Sequence, residues 1–383
     1  MVAVTFGPFL AAASAPSPLY ALYAQQWSFS PGVLTAIFAV YSVALLAALL
    51  AAGSLSDSIG RKPVILTAIG IQLLAMAAFL FADAVAWLVL ARVLQGLATG
   101  LATAAVAAAL IDLQPASPPG FGALVNSVTP TFGLAVGALV AGALVQFGPE
   151  PLHAIYLVLL VGFLLCGAGI MPVSETVTTK SHPQLKPRLA IPSAIRSAFI
   201  AGLPALIAPW ALGGLWLSLG PSLLLSMIGS GDRFIGGLVI FVLCMSGALA
   251  SLAARKQPPK TAMIFGCSAL VIGVTVTGVA ILLSGPWLFF VGTAVAGGGF
   301  GVSFLGAFKT LASLADADSR GAVISAIYVI AYLAFSIPAV IAGIFATHTD
   351  LRATAIGYVV GVTVLAAAAI PLTQRVRLAK QPV

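Results

Sequence analysis

Apolar residues fill most of the chain in long runs, which short polar or Gly/Pro-rich segments interrupt at regular intervals. A helix that crosses a bilayer needs about 20 predominantly apolar residues. Dividing the sequence at its polar segments yields twelve runs near that length. The predicted spans are residues 2–24, 33–55, 62–82, 87–112, 120–147, 152–172, 197–227, 234–254, 261–284, 287–311, 321–346 and 352–374. The pattern therefore predicts an all-α protein with twelve transmembrane helices.

The longest polar segment lies between the sixth and the seventh predicted span. It carries Lys180, Lys186 and Arg188 among Ser, Thr and Pro residues. This composition is typical of a solvated linker. We therefore expect an N-terminal six-helix half at residues 1–172, a linker at 173–196 and a C-terminal six-helix half at 197–383.

The composition narrows the class of protein further. Hydrophobic residues make up 61% of the 383 residues and charged residues only 7%, a balance that a soluble domain could not carry on its surface. The three cysteines lie inside apolar runs, where cysteine behaves as a small hydrophobic residue. No cluster has metal-ligand spacing, and no Gly-rich loop carries a nucleotide-binding lysine. We expect no enzymatic activity, no metal and no cofactor.

The net charge of +8 could suggest nucleic acid as a partner, but its distribution indicates helix orientation instead. With both termini in the cytoplasm, 14 of the 17 Lys and Arg residues fall on the cytoplasmic side. Only Arg233 and Arg352 fall outside, and Arg92 lies within a span. Basic residues in short loops stay cytoplasmic. The sequence therefore predicts a multi-pass protein of the inner (plasma) membrane with both termini in the cytoplasm. We expect the protein to be a monomer whose partner is the lipid bilayer and not nucleic acid.

One short polar segment, Gly53 to Ile65, joins the second predicted span to the third. Its glycines allow the helix ends to approach closely, which puts Asp57 within reach of Arg61. The pattern Gly-x-Leu-x-Asp-x-x-Gly-Arg-Lys-x-x-Ile resembles the signature loop of the major facilitator superfamily. The resemblance implies a secondary transporter of two six-helix halves, in which this loop is a cytoplasmic gating latch. Its candidate residues are Gly53, Asp57, Gly60, Arg61 and Lys62, with Asp112 from the inner end of the fourth span.

The signature loop has a partial copy 194 residues later, between the eighth and ninth spans. Gly53, Leu55, Arg61 and Lys62 have identical partners at Gly247, Leu249, Arg255 and Lys256. Ser251 takes the place of Asp57, and Ala254 takes the place of Gly60. The copy predicts a duplicated half, as in transporters whose substrate site lies near the membrane midplane.

Arg92 is a basic residue inside a span. Burying a guanidinium in hydrocarbon is costly, so the side chain should face the protein interior or water, although it could instead snorkel to the nearby outer end. The string from Arg92 to Gly96 resembles the fourth-helix motif of the superfamily, Arg-x-x-Gln-Gly. The resemblance implies that Arg92 takes part in proton coupling or binds an anionic substrate group, and we expect Gln95 to share that site.

The fifth span carries small residues at regular spacing, from Gly133 through Gly137 to Gly142. This spacing is similar to the fifth-helix motif of superfamily exporters, Gly-x-x-x-Gly-Pro-x-x-Gly-Gly. Ala138 replaces the motif's proline and Ala141 replaces a glycine. The motif implies an exporter, whereas small residues also serve general helix packing in membrane proteins.

Aromatic residues with few charges inside the spans suit a lipophilic or amphipathic substrate. Any one of them could instead be packing or part of the interfacial belt. None of the nine acidic residues falls at mid-membrane, so a proton would travel with an acidic substrate bound at Arg92, or transport would be uncoupled. The further candidates for a substrate or proton site are Tyr20, Tyr23, Tyr41, Asn126, Trp210, Phe304, Tyr328 and Tyr332.

These observations predict a secondary transporter that works by alternating access as an antiporter. We expect proton-coupled efflux of small lipophilic or anionic compounds. One alternative is a facilitator or importer of a metabolite such as a sugar or an organic acid. A second alternative is a scaffold or receptor that uses the same fold without transporting.

Overall fold

The computed structural model describes residues 2–113, 121–177, 191–229, 232–314 and 320–375. Their regular structure is helical, with three short 3₁₀ turns beside fourteen α-helices. The helices are α1 Val2–Ser14, α2 Tyr20–Trp27, α3 Pro31–Ile59, α4 Arg61–Leu80, α5 Val85–Asp112, α6 Phe121–Phe147, α7 Ala154–Ile170, α8 Arg196–Ser218, α9 Gly220–Ile228, α10 Phe234–Ala253, α11 Pro259–Leu283, α12 Pro286–Ser313, α13 Arg320–His348 and α14 Leu351–Arg375.

The helices have the length and composition of membrane spans. Within the described residues, eleven stretches are long and apolar enough to cross a membrane, with α1 and α2 counted together as Val2–Trp27. The sixth predicted span corresponds to α7, which is apolar but has only 17 residues, near the lower limit for spanning. Each predicted span thus has a helical counterpart, and the prediction of an all-helical membrane protein is confirmed.

Two predicted spans differ from the structure because each is broken into two helices. The first ends as α1 at Ser14 and resumes as α2 at Tyr20, with a 3₁₀ turn at Ser17–Leu19. Pro16 and Pro18 lack the N–H groups that would continue the helix. The seventh breaks between α8 and α9, where Pro221 follows the first residue of α9. The expectation of one continuous helix was therefore wrong for residues 2–24 and for residues 197–227. In both spans, proline is the reason for the break.

The chain divides into two compact units. Unit 1 consists of Met1–Pro187 with Gly231–Phe241, and unit 2 consists of Arg188–Ser230 with Val242–Val383. In unit 1, α1 packs on α6, and α5 packs on α3 and α4. In unit 2, α11 packs on α12, and α8 packs on α13 and α14. The boundaries predicted for the halves and their linker stay a prediction.

Glycines set the close helix contacts in unit 1. A Cβ on Gly133 would lie 2.7 Å from the Gly7 carbonyl oxygen, and one on Gly137 would overlap the Ala11 backbone. The fifth-span glycines therefore bring α6 directly against α1. A Cβ on Gly96 would overlap the Tyr41 carbonyl in the same way, which seats α5 against α3. These contacts fix the helices that carry the polar residues of unit 1.

Candidate functional site

Arg92 lies in the interior of unit 1. Its side chain projects from α5 and is 1% exposed, so it does not snorkel to a membrane surface. One guanidinium nitrogen, Nη1, donates to the Ala13 carbonyl at 3.0 Å and also to the Gln95 side-chain oxygen. Gln95 in turn donates from Nε2 to the Ala12 carbonyl at 2.8 Å. The two residues of the fourth-helix motif thus act as one polar group against α1.

The break in the first span explains why these carbonyls accept. In a continuous helix the Ala12 carbonyl would accept a hydrogen bond from the N–H of the residue four positions later. That residue is Pro16, which has no N–H. The α-helix ends at Ser14, so the carbonyls of Ala12 and Ala13 belong to its last turn. Side chains from α5 satisfy them instead. Pro16 therefore makes the acceptors that hold Arg92 and Gln95 in place.

Aromatic rings from α3 cover the guanidinium. The Arg92 Cζ atom lies 4.2 Å from the centroid of the Tyr41 ring and 5.7 Å from that of Phe38. Cation–π contacts of this kind partly offset the loss of hydration. The ion pairs of the described residues do not include Arg92. A buried guanidinium without a carboxylate partner leaves the site electropositive.

Several buried donors around the break have no hydrogen-bond partner in the described structure. They are the hydroxyls of Ser17 and Tyr20 beside Pro16, the Ser42 hydroxyl on α3 and the Arg92 Nε. Unpaired buried polar atoms are costly and are usually kept for a reason. These atoms can all donate hydrogen bonds, which is what an anionic group requires.

Tyr23 belongs to an aromatic network in the same unit. Its hydroxyl donates to the Tyr156 hydroxyl at 3.4 Å, and its ring stacks on Trp27 at 4.9 Å. Tyr156 stacks on Phe79 at 4.5 Å. Sequence reasoning did not identify Tyr156, which reaches Tyr23 only through the packing of α7. Asn126, another candidate, has a side chain outside the part of the chain that the structure describes.

A second group of candidates forms an aromatic cluster in unit 2. The ring centroid of Trp210 lies 5.3 Å from that of Phe304, 4.9 Å from Tyr332 and 5.8 Å from Phe335. Phe308 links Phe304 to Tyr328, with both centroid distances 5.9 Å. The Trp210 indole nitrogen is buried without a hydrogen-bond partner among the described residues. The sequence analysis missed Phe308 and Phe335, although they follow Phe304 and Tyr332 at helical spacings.

The signature loop forms a polar cluster at one end of unit 1. Gly53 lies within α3, and Arg61 begins α4. The Arg61 guanidinium donates to Asp57, to the Ser56 hydroxyl at 2.8 Å and to Asp112 at 3.3 Å. It therefore joins the ends of α3, α4 and α5.

Lys62 and Glu175 tie the segment after α7 to the same cluster. The Lys62 ammonium donates to the Met171 carbonyl. The Glu175 carboxylate accepts the backbone N–H groups of Arg61 at 2.9 Å and Lys62 at 3.1 Å. It thus caps the N-terminus of α4, where unpaired N–H groups favour an anion. Gly60 precedes α4 with φ +114°, and a Cβ there would overlap the Glu175 carboxylate. The sequence analysis did not identify Glu175 as part of the loop.

The sequence pattern that describes the Major Facilitator Superfamily matches residues 2–337. The chain belongs to the major facilitator superfamily. A comparison with curated proteins found no match. This superfamily member is a multi-pass membrane protein and a secondary transporter, and members are typically transporters rather than enzymes.

Solved structures show the same fold. A bacterial homolog of the human lysosomal transporter Spinster, inward-facing and unoccupied, has a TM-score of 0.79 at 14% identity, over 99% of this chain and 98% of that one. The nucleoside transporter NupG, as a mutant, has a TM-score of 0.75 at 13% identity, over 97% and 98%. A POT family transporter in complex with 5-aminolevulinic acid has a TM-score of 0.79 at 12% identity, over 98% and 95%. At these identities the likeness shows the fold alone.

The cap on α4 gives this superfamily member a pH-dependent contact. Partial burial by itself raises the pKa of the Glu175 carboxyl, but backbone N–H donors from Val177, Arg61, Lys62 and Thr176 outweigh it and hold the pKa below its ordinary value. A carboxyl with a lowered pKa in the folded state stabilises the fold above its ordinary pKa. That stabilisation is lost as the pH falls through the folded-state pKa.

We expect Glu175→Gln to lower the thermal unfolding midpoint at pH 7. Below about pH 4.3, the ordinary pKa of glutamate, the midpoint of the variant should fall less steeply with decreasing pH than that of the wild type. A neutral amide caps the helix less well and does not titrate. Thermal unfolding of the purified protein between pH 3 and 7 measures this. Glu150→Gln is the control, because Glu150 pairs only with His153 among the described ion pairs. Coincident pH curves for wild type and Glu175→Gln would contradict the capping role.

Proposed function

We propose that this superfamily member exports small lipophilic or anionic compounds by alternating access, with proton coupling. The observation that carries the proposal is the buried Arg92, which the described ion pairs leave without a carboxylate. A substrate anion would supply the missing counter-charge. The proposed orientation places both termini and the signature loop in the cytoplasm, as the distribution of basic residues indicates.

The surroundings of Arg92 support an anion more than a cation or a neutral sugar. The Gln95 side-chain oxygen and the Ala13 carbonyl already occupy Nη1 of the guanidinium, and Gln95 is itself held by the Ala12 carbonyl. The Arg92 Nε and the Tyr20 hydroxyl remain unused. Charge-assisted hydrogen bonds are roughly twice as strong as neutral ones, and a fixed guanidinium suits the planar geometry of a carboxylate. A carboxylate or a similar oxyanion is therefore the substrate group that we propose.

The aromatic cluster of unit 2 supports the lipophilic part of the proposal independently. The cluster is only half-buried at Trp210, Phe304, Tyr328 and Tyr332. The indole N–H of Trp210, which has no hydrogen-bond partner among the described residues, gives it one polar edge. Aromatic faces with a few polar atoms are typical of sites for apolar small molecules. The cluster adds no charge that would demand a charged partner.

The direction of transport rests on the fifth span. Two of the three glycines shared with the exporter motif, Gly133 and Gly137, form the close contact between α6 and α1, the helix that also carries the Ala13 carbonyl bound by Arg92. This shared helix supports the proposal that the exporter-like span and the anion site work together.

In the described part of the chain, no carboxylate lies inside a span. Proton coupling therefore needs another group to carry the proton. Arginine does not give up its proton at any physiological pH, so Arg92 is not the proton carrier. We propose that the proton leaves the cell on the acid group of the substrate and is released outside, so that proton and substrate move in the same direction and the outward gradient of the substrate drives export. If transport is instead uncoupled, export of a monoanion from a cell with a negative interior still gains about 2.3 kcal/mol per 100 mV.

A binding panel on the purified protein tests the substrate class. Each aromatic or aliphatic carboxylic acid is compared with its amide, which has nearly the same shape and no charge. We expect acids to raise the thermal midpoint and amides to leave it unchanged, because only the anion pairs with Arg92. Equal shifts for acid and amide would contradict the proposal and favour the importer of neutral metabolites.

A further inference from the structure

The partial copy of the signature loop in unit 2 has a different local structure from the first. Arg61 is the first residue of α4, whereas α10 ends at Ala253 and the 3₁₀ turn Ala254–Lys256 follows. Gln257 and Pro258 are extended, with ψ of 147° and 137°, and α11 begins only at Pro259. A residue before proline is disfavoured in the helical region, so the two prolines delay the helix start. The basic pair therefore projects from a turn.

Among the described residues, the positive charges of this turn have no acidic partner, whereas Arg61 in unit 1 has two. Ser251 stands where the first copy has Asp57, so the acid is lost. Arg255 and Lys256 are exposed, and neither occurs among the ion pairs of the described residues. The Lys309 ammonium donates to the Arg255 carbonyl at 2.7 Å, which adds a third positive charge. The described residues of this turn and its neighbour on α12 therefore bring three positive charges together.

A shallow groove of about 480 Å³ lies at the same place and is lined by Leu249, Leu252, Ala253, Arg255 and Lys256. We call it the basic groove. Leu249 is 59% exposed and Leu252 is 36% exposed, and they lie between one and two turns before the cations. The groove thus has an apolar part along α10 and a cationic part just past its end.

We propose that the basic groove binds one anionic phospholipid, with its phosphate between Arg255 and Lys256 and an acyl chain along Leu249 and Leu252. Because α10 has the length and apolarity of a membrane span, the groove at its end lies at headgroup level whichever side it faces. Each basic residue near an anionic membrane surface contributes about 1 kcal/mol. A soluble phosphate would leave the leucine surface uncovered, and a zwitterionic lipid would leave the net charge unmatched. The lipid site does not depend on the proposed substrate or on transport.

Lipid binding to the purified full-length protein tests this proposal. Phosphatidylglycerol and phosphatidylcholine with identical acyl chains are titrated into the detergent-solubilised protein, and binding is followed by native mass spectrometry and by the thermal midpoint. We expect phosphatidylglycerol to bind more tightly, and Arg255→Gln to weaken it about fivefold at low salt, the equivalent of about 1 kcal/mol. Leu249→Asn should weaken the same lipid without changing net charge. Circular dichroism checks that each variant keeps its helix content.

Arg196→Gln is the matched control, because Arg196 is an exposed arginine that loses the same charge outside the groove. We expect it to bind phosphatidylglycerol as the wild type does. Equal weakening by Arg255→Gln and Arg196→Gln would overturn the proposal, since the effect would then be net charge alone. Equal binding of phosphatidylcholine, or equal stabilisation by inorganic phosphate, would also overturn it.

Discussion

Arg92→Gln is expected to lower transport of anionic substrates by at least about 30-fold while the protein stays folded. Truncating one partner of a buried charged pair costs about 2–5 kcal/mol, and each 1.4 kcal/mol is about tenfold. Without substrate, Arg92 has no carboxylate partner among the described ion pairs, so its removal also relieves the desolvation of a buried charge. The loss of the hydrogen bonds to the Ala13 carbonyl and to Gln95 acts in the opposite direction, so the thermal midpoint should change little. Uptake into proteoliposomes and thermal unfolding measure the two effects.

Two further variants separate charge from geometry at this site. Arg92→Lys keeps the charge but loses the planar fork, so we expect intermediate transport. Arg352→Gln is the matched control: Arg352 also donates to a backbone carbonyl, that of Leu282, but it is exposed. Its transport should equal that of the wild type. Full transport by Arg92→Gln, or an equal loss in the control, would refute the role of Arg92.

Arg61→Gln is expected to slow transport at saturating substrate roughly tenfold, with substrate affinity changed less than twofold. Arg61 is only 15% exposed and holds Asp57, Ser56 and Asp112 together, so its loss leaves two carboxylates without their shared cation. A tenfold change in the population of one closed state needs only about 1.4 kcal/mol. Turnover in proteoliposomes and the substrate Kd in detergent separate cycling from binding.

Asp57→Asn should act in the same direction but more weakly. The Asp57 side chain is 67% exposed, and exposed ion pairs contribute little. We expect turnover to fall only a fewfold. Arg196→Gln, which removes a charge outside this cluster, should leave turnover unchanged. A large loss of substrate affinity in Arg61→Gln would contradict a gating role and would indicate a substrate contact.

The sequence predicts those features of the structure that depend on the type of a residue and its near neighbours in the chain. A span needs about 20 apolar residues, so the apolar runs alone predict the approximate limits of the spans, although not the breaks inside the first and the seventh. Arg92 could be predicted to lie in the interior because hydrocarbon excludes a charge. Pro16 could have predicted the break in the first span, but nothing in the sequence says that Arg92 and Gln95 use the carbonyls that the break frees.

The contacts that sequence reasoning missed come from residues far apart in the chain. Glu175 caps α4 from 114 residues away, and a lone glutamate after a span carries no sign of this partner. Tyr156 and Tyr23 are 133 residues apart in the sequence, and only the packing of the helices brings them together. Phe308 and Phe335 could have been found, because each lies one helical turn from a candidate that was identified. Their aromatic character alone did not distinguish them from lipid-facing residues.

Proton flux in proteoliposomes tests the central claim most directly. The protein is reconstituted with a pH-sensitive dye inside, a pH gradient is imposed, and carboxylic acids and their amides are added in turn. The account predicts a proton flux that appears only with acids, is saturable, and is lost in Arg92→Gln but not in Arg352→Gln. Substrate movement that follows the membrane potential with no proton flux would contradict the coupling. No acid-dependent flux of substrate or proton across the whole panel would contradict the anion exporter itself.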